Sequence, residues 1–368
     1  MVRLLIAPDG FKGTLRADEA AAAIASGWHR ARPDHHLLVK PLSDGGPGFV
    51  HAMAMARGVP VRTTSTVHAL GAPVEAAWCL DGEDAFLEAA EVVGLGHGLD
   101  VHRATSRGLA APLLDAIAAG ARRVVIGFGG TCVVDAGAGL LAGLGATAVD
   151  AQGAPVPLDA GPDALARVAS VDLAPAQRAV DGVALVAAVD VDVPLLGPRG
   201  AVQGFAPQKG ADAAELPVLE AALAAFAAGC GRRADGRDAA VLLGAGAAGG
   251  LGYAVLRLDG TRASGLRLVW DESRIDLDGI DLVITGEGSL DWQSMTGKVV
   301  AGVAARAQER GVPVIAIAGR VLISPRERVD MGLDAAYALT DMVGEERALS
   351  DAAGALADAA ERLVRTWG

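Results

Sequence analysis

Four lysines stand among 32 basic residues, and three of them adjoin a glycine: Phe11-Lys12-Gly13, Gln208-Lys209-Gly210 and Gly297-Lys298. In a chain this rich in arginine, a lysine that persists points to a need for a compact ammonium on a flexible stem. Beside glycine, where backbone can approach a ligand closely, that need reads as phosphate contact. Acids recur in a related pattern. Short apolar runs are followed at once by small and acidic residues in Pro8-Asp9-Gly10, Pro41-Leu42-Ser43-Asp44-Gly45-Gly46, Gly127-Phe128-Gly129-Gly130-Thr131, Val189-Asp190-Val191-Asp192 and Thr285-Gly286-Glu287-Gly288. Such residues could bind an anion, hold a cation or move a proton. No Walker lysine loop is among them, because neither Gly286-Glu287-Gly288 nor Gly129-Gly130-Thr131 has its spacing.

The elements that must carry these residues read as an α/β protein with largely parallel sheet, since apolar runs alternate with alanine-rich helical stretches. Strands are expected at 2–8, 37–41, 124–128, 183–189, 280–285 and 312–318. Helices are expected at 18–31, with Ile24 and Trp28 on one face, and at 350–367, with Leu356, Leu363 and Trp367 inward. The glycine-rich run 239–256 is expected to be a loop between buried elements, and His35-His36 beside Pro33 an exposed strand start. In open α/β sheets, ligands bind beyond the carboxyl ends of the strands, where helix N-termini and bare amides favour anions. Five strand ends of this kind suggest a single cleft.

Bulk properties narrow the partners. A chain of 368 residues exceeds one ordinary core and suggests two domains. A formal charge of -12 without a basic run argues against nucleic acid and against an anionic membrane surface. The apolar start, Met1-Val2-Arg3-Leu4-Leu5-Ile6-Ala7, is too short for a signal peptide, and run 239–256 holds too many glycines for a membrane span. Three scattered cysteines, Cys79, Cys132 and Cys230, offer neither a disulfide framework nor zinc spacing, so a reducing, cytoplasmic setting is expected.

Taken in order, Pro8-Asp9-Gly10-Phe11-Lys12-Gly13-Thr14-Leu15, Ser43-Asp44-Gly45-Gly46, Leu195-Leu196-Gly197-Pro198-Arg199-Gly200 with Pro207-Gln208-Lys209-Gly210, the glycines 244–252, and Ile284-Thr285-Gly286-Glu287-Gly288 through Asp291, Gln293 and Thr296-Gly297-Lys298 resemble the glycerate kinase type 1 family over nearly the whole chain. The resemblance implies an ATP-dependent kinase that phosphorylates the 2-hydroxyl of D-glycerate. It also implies a discontinuous Rossmann-like domain, 1–65 with 271–368, into which a second α/β domain, 66–270, is inserted, with the active-site cleft between them. ATP and Mg2+ are the cofactors it implies; a small hydroxy acid is the partner, and a homodimer is left open.

Phosphoryl transfer needs positioning and charge neutralisation more than covalent catalysis. Asp190 is therefore expected to orient or deprotonate the acceptor hydroxyl, with Lys12 as its catalytic companion. Asp9, Ser43, Thr131, Asp135 and Arg199 are assigned to the substrate; Lys209, Gly286, Gly288 and Lys298 to the nucleotide phosphates; Asp44 and Glu287 to magnesium. Several positions depart from the family pattern. Gly10 replaces a Ser, Pro47 and Phe49 replace Glu and Thr, Val134 and Val193 replace Asn, Ala136 replaces Gly, and Ser289 replaces Arg. Because binding so polar an acid relies on matched hydrogen bonds, two alternatives stand beside the family activity: a kinase with a bulkier or less polar acceptor, and a non-catalytic paralogue.

Overall fold

The computed structural model describes residues 2–11, 13–296 and 298–368; Lys12 and Gly297, both within motifs singled out above, lie outside the described residues. The chain divides into two compact units, one of Met1–Asp44, His51–Arg57 and Leu266–Gly368, the other of Gly45–Val50 and Gly58–Gly265. Both are α/β.

Fourteen strands are described: β1 (Arg3–Ile6), β2 (His36–Val39), β3 (Val61–Val67), β4 (Pro73–Asp81), β5 (Asp84–Glu88), β6 (Arg123–Gly127), β7 (Thr147–Val149), β8 (Pro155–Val156), β9 (Ser170–Asp172), β10 (Ala184–Ala188), β11 (Thr261–Ala263), β12 (Leu282–Leu290), β13 (Val314–Val321) and β14 (Ala335–Ala338). In the first unit they form one parallel sheet in the order β14-β13-β12-β1-β2, with Ile6 opposite both Ile284 and Val39. Runs such as Leu4-Leu5-Ile6 and Leu282-Val283-Ile284 are apolar throughout because helices cover both faces of such a sheet. Helix α1 (Ala17–Ala31) opens with Glu19 accepting the Arg16 amide at 2.9 Å and buries Ile24 and Trp28 against Leu356 and Leu363 of the helix Ala352–Trp367. The approach is close. A Cβ at Gly27 would lie 1.8 Å from the Ala357 carbonyl oxygen.

The second unit holds a six-stranded sheet, β11-β10-β6-β5-β4-β3, and a small antiparallel sheet, β8-β7-β9. Strands β5, β6, β10 and β11 run parallel; β3 and β4 add an antiparallel edge. Its core gathers Val124, Ile126, Leu140, Leu185, Phe226 and Tyr253. Strand β3 crosses position 65/66, where the sequence suggested a domain boundary.

All six expected strands and both expected helices are present, with three corrections. Strand β12 does not stop at Thr285; it continues to Leu290, so Gly286-Glu287-Gly288 is strand rather than loop, paired with β13 through Glu287 and Ala318. The run 239–256 is not all loop. Ala248, Gly249 and Gly250 adopt positive φ and turn the chain into a helix ending at Arg257, whose Leu251, Tyr253 and Val255 are buried. His35 is buried, not exposed, because its Nδ1 accepts the indole N–H of Trp28 at 3.2 Å; His36 alone faces outward.

Candidate functional site

In the first unit, the carboxyl ends of β1 and β2 and the far half of β12 bring carboxylates together. Asp9 follows β1, its amide donates to the Gly286 carbonyl of β12 at 2.8 Å, and its Oδ1 accepts the Gly10 amide at 2.7 Å. Burial pushes the Asp9 carboxyl well above the usual carboxylate range, and the nearby negative charges of Asp44 and Glu287 add to the rise, with Lys298 opposing it. Asp44 follows β2 and the fully buried Ser43. Glu287 is raised to about 7, chiefly by burial; Ser294 and Lys298 hold it down, and Asp291 and Asp44 push it up. One Glu287 oxygen, Oε1, is buried with no hydrogen-bond partner. Lys298 reaches Gln293 Oε1 at 3.5 Å.

Asp9 and Glu287 are thus held at odds with their own charges, with Lys298 near them. Among the described residues, no three His, Cys, Asp or Glu side chains are placed to hold a metal by themselves. A hard divalent cation beside a phosphate takes one or two carboxylates and completes its shell with phosphate oxygens and water. The orphaned Glu287 oxygen and the half-buried Asp44 are the donors such an ion would use. Gly286 serves packing here, since a Cβ would meet the Ile317 carbonyl oxygen at 2.1 Å, and Gly288 packs similarly close to Gly319.

In the second unit, three loops interlock at the carboxyl ends of β6 and β10. Gly249 accepts the Ala136 amide at 3.0 Å, and Val193 accepts the amides of Gly244 and Gly246 at 3.1 and 3.0 Å. A Cβ at Gly250, φ 95°, would sit 2.5 Å from the Ala136 Cα, so the glycine run is what lets these loops close on one another. Asp190 is half-buried directly after β10; Asp192 pairs with Arg262 of β11; Arg199 is exposed.

Two residues assigned to ligands, Lys209 and Asp135, are buried. Lys209 is 3 % exposed and donates to the Val133 carbonyl at 2.8 Å and to Thr131 Oγ1 at 3.4 Å. Its ammonium is pushed down to about 8 by burial, against the pull of Cys132 and Asp135. Asp135 is fully buried, and its oxygens accept from Ser106 N and Oγ at 2.8 and 2.7 Å, Gly137 N at 3.0 Å and Gly139 N at 3.3 Å. Thr131 is itself buried. The departures Phe49 and Val134 are also wholly buried and Val193 half-buried.

Sequence reading overlooked three side chains here: Ser106, Arg262 and Glu88. Neither Ser106 nor Arg262 carries a local signal. Glu88 did, because it closes the apolar run Ala85-Phe86-Leu87 as the other acids close theirs.

Parallel sheets whose strand ends offer acids, lysine and close-packed glycines define an α/β protein built to handle a charged ligand. Comparison with known proteins then places the chain. The model of the glycerate kinase family matches residues 4–368, and the chain belongs to that family. It is 37% identical to the glycerate kinase of Bacillus subtilis (strain 168), covering 92% of this chain and 90% of that one, and 35% identical to the glycerate 2-kinase of Escherichia coli (strain K12), covering 93% and 92%. An uncharacterized protein of Mycobacterium bovis is 38% identical over 100% of this chain and 92% of its own length. A crystal structure of a protein assigned as glycerate kinase 2 from Salmonella typhimurium LT2 superposes with a TM-score of 0.79 at 34% identity, covering 99% and 98% of the two chains.

Proposed function

We propose that this chain is an ATP-dependent glycerate 2-kinase that uses Mg2+ and transfers the γ-phosphoryl group to the 2-hydroxyl of D-glycerate in the cytoplasm. The observation that carries the reading is the Asp9, Asp44 and Glu287 group with Lys298, in a chain whose family match is nearly complete. Glu287 and Asp44 would hold magnesium, which when bound neutralises phosphate charge in the transition state. Lys298, and Lys12 beyond the described residues, supply compact positive charge for the phosphates.

Asp190 would accept the hydroxyl proton, or orient the hydroxyl, with the exposed Arg199 taking the acceptor carboxylate. Lys209 and Asp135 support this from beneath: the first braces 131–133, the second caps the helix Ala138–Gly143 through its amides. A bulkier acceptor is not favoured, because Phe49 and Val134 furnish core rather than pocket lining. The deciding experiment is coupled ADP release across a panel of small hydroxy acids, with the product's phosphate position read by NMR. D-glycerate should give the 2-phosphate at the highest kcat/KM, and Asp190→Asn should lower kcat about 10²-fold with unchanged melting. Preference for another acid would refute the assignment. Light scattering of the same preparation tests the homodimer.

A further inference from the structure

We propose that Glu88 is a positioning residue for this reaction: from the end of β5 its buried carboxyl accepts the amides that open helix α2 (Phe49–Arg57) and thereby fixes the Gly45–Val50 turn that follows Ser43 and Asp44. The inference rests on the kinase reading for its functional half, while its structural half stands alone.

Glu88 is 4 % exposed, and its Oε2 accepts from Gly48 N at 2.9 Å and from Val50 N at 3.4 Å. These are amides at the start of α2, where a helix leaves its first N–H groups without partners of its own. Packing also holds the turn. A Cβ at Gly45 would lie 2.5 Å from the Ala188 carbonyl oxygen, and one at Gly127 would lie 2.9 Å from the Phe49 ring. Phe49 in turn meets Phe86 edge-on, with ring centroids 6.4 Å apart. Gly127 pairs with Glu88 across β5 and β6, so the carboxyl and the ring flank the same point of the sheet.

Burying a carboxyl beside two phenylalanines is costly unless its oxygens are used. Here Oε2 is used on a turn. Among the described residues the charged group bearing on Glu88 is Glu91, on the helix Ala90–Val93; burial first and Glu91 second push the carboxyl up to about 8. Near neutral pH it is therefore mostly the neutral acid, and glutamine is its isostere.

The test compares wild type, Glu88→Gln and Glu88→Ala in the full chain by two readouts: amide hydrogen exchange at residues 48–50, and kcat and KM in the glycerate assay. Glu88→Ala should speed exchange at 48–50 at least tenfold and lower kcat about 10²-fold, the scale expected when reacting groups shift by about 1 Å. Glu88→Gln should restore both near neutral pH. As pH passes about 8, wild type should keep its protection at 48–50, since an ionised carboxyl accepts amide N–H groups more strongly than the acid does. Unchanged exchange in Glu88→Ala overturns the proposal, as does a folded Glu88→Gln that is inactive, since that would make the proton itself the reactant. Should Glu88→Ala fail to fold, Glu88→Leu, which keeps the bulk but accepts no amide, takes its place, and unchanged exchange at 48–50 in it overturns the proposal. A wild type that leaves glycerate untouched refutes the kinase reading, and the exchange measurement still judges whether Glu88 fixes the turn.

Discussion

Glu287 shows what this fold concedes at its site. Its ordinary value is near 4.5, and in the folded protein it holds its proton to about 7. The folded state therefore binds more protons than the unfolded chain between these values, and stability falls as pH rises through that window, with the full cost present above it. Glu287→Gln should accordingly raise Tm above pH 7 relative to wild type and change little below pH 4.5. Magnesium-dependent turnover should fall by at least about tenfold. Thermal melts across pH, paired with magnesium titration of activity, check both halves; a variant less stable at high pH would show that Glu287 is a support rather than a strained ligand. Such acids were legible because each ends an apolar run. Lys209 was less legible: a lysine between glutamine and glycine looks the same in sequence whether or not its ammonium also meets the Val133 carbonyl.

Strands buried on both faces announced themselves as continuous apolar runs, and the six expected ones are all present. Those that escaped are short or mixed. Strand β3, Val-Arg-Thr-Thr-Ser-Thr-Val, is an edge strand with polar residues on both faces, and β14 is only four residues, Ala-Ala-Tyr-Ala, whose partner is made earlier in the chain. Helix contacts were legible in part. The inward faces of α1 and of the helix Ala352–Trp367 could be read, but not that Gly27 is where they touch. Gly27→Ala forces its new methyl onto the Ala357 carbonyl and should cost about 1–3 kcal/mol or more in chemical denaturation. A variant as stable as wild type would mean the helices separate without penalty. Elsewhere three elements share one imidazole. His102 Nδ1 lies 2.9 Å from Asp163 and Nε2 lies 2.7 Å from Glu215, which precedes the helix Leu216–Cys230. The bonds to Asp163 and then Glu215 raise the histidine from 6.5 to about 9. Its stabilising contribution is thus complete below about pH 6.5 and is lost as pH rises through 9. Since the side chain is 38% exposed, solvent screening keeps the effect small. The Tm difference between wild type and His102→Gln should be greatest at pH 6 and vanish by about pH 10; a difference independent of pH would assign the contact to packing.

At the scale of the whole chain, the first unit's sheet is assembled from both ends of the sequence, with β1 seated between β12 and β2. Removing everything after Glu272 deletes β12, β13 and β14 and leaves β1 and β2 as an isolated pair, too little to persist in water. Hydrogen exchange of such a truncation should show β1 and β2 unprotected while β5, β6 and β10 keep their protection; protected β1 amides would mean the N-terminal strands find another partner. The same connectivity bears on synthesis. Val39 leaves the ribosome roughly 240 residues before Leu282, about 10 to 50 s at ordinary elongation rates. Through that interval Leu4, Leu5 and Ile6 are translated yet lack the neighbour that will bury them, so a growing chain offers a sticky apolar edge to chaperones, and its second unit can finish folding while its first residues are still waiting.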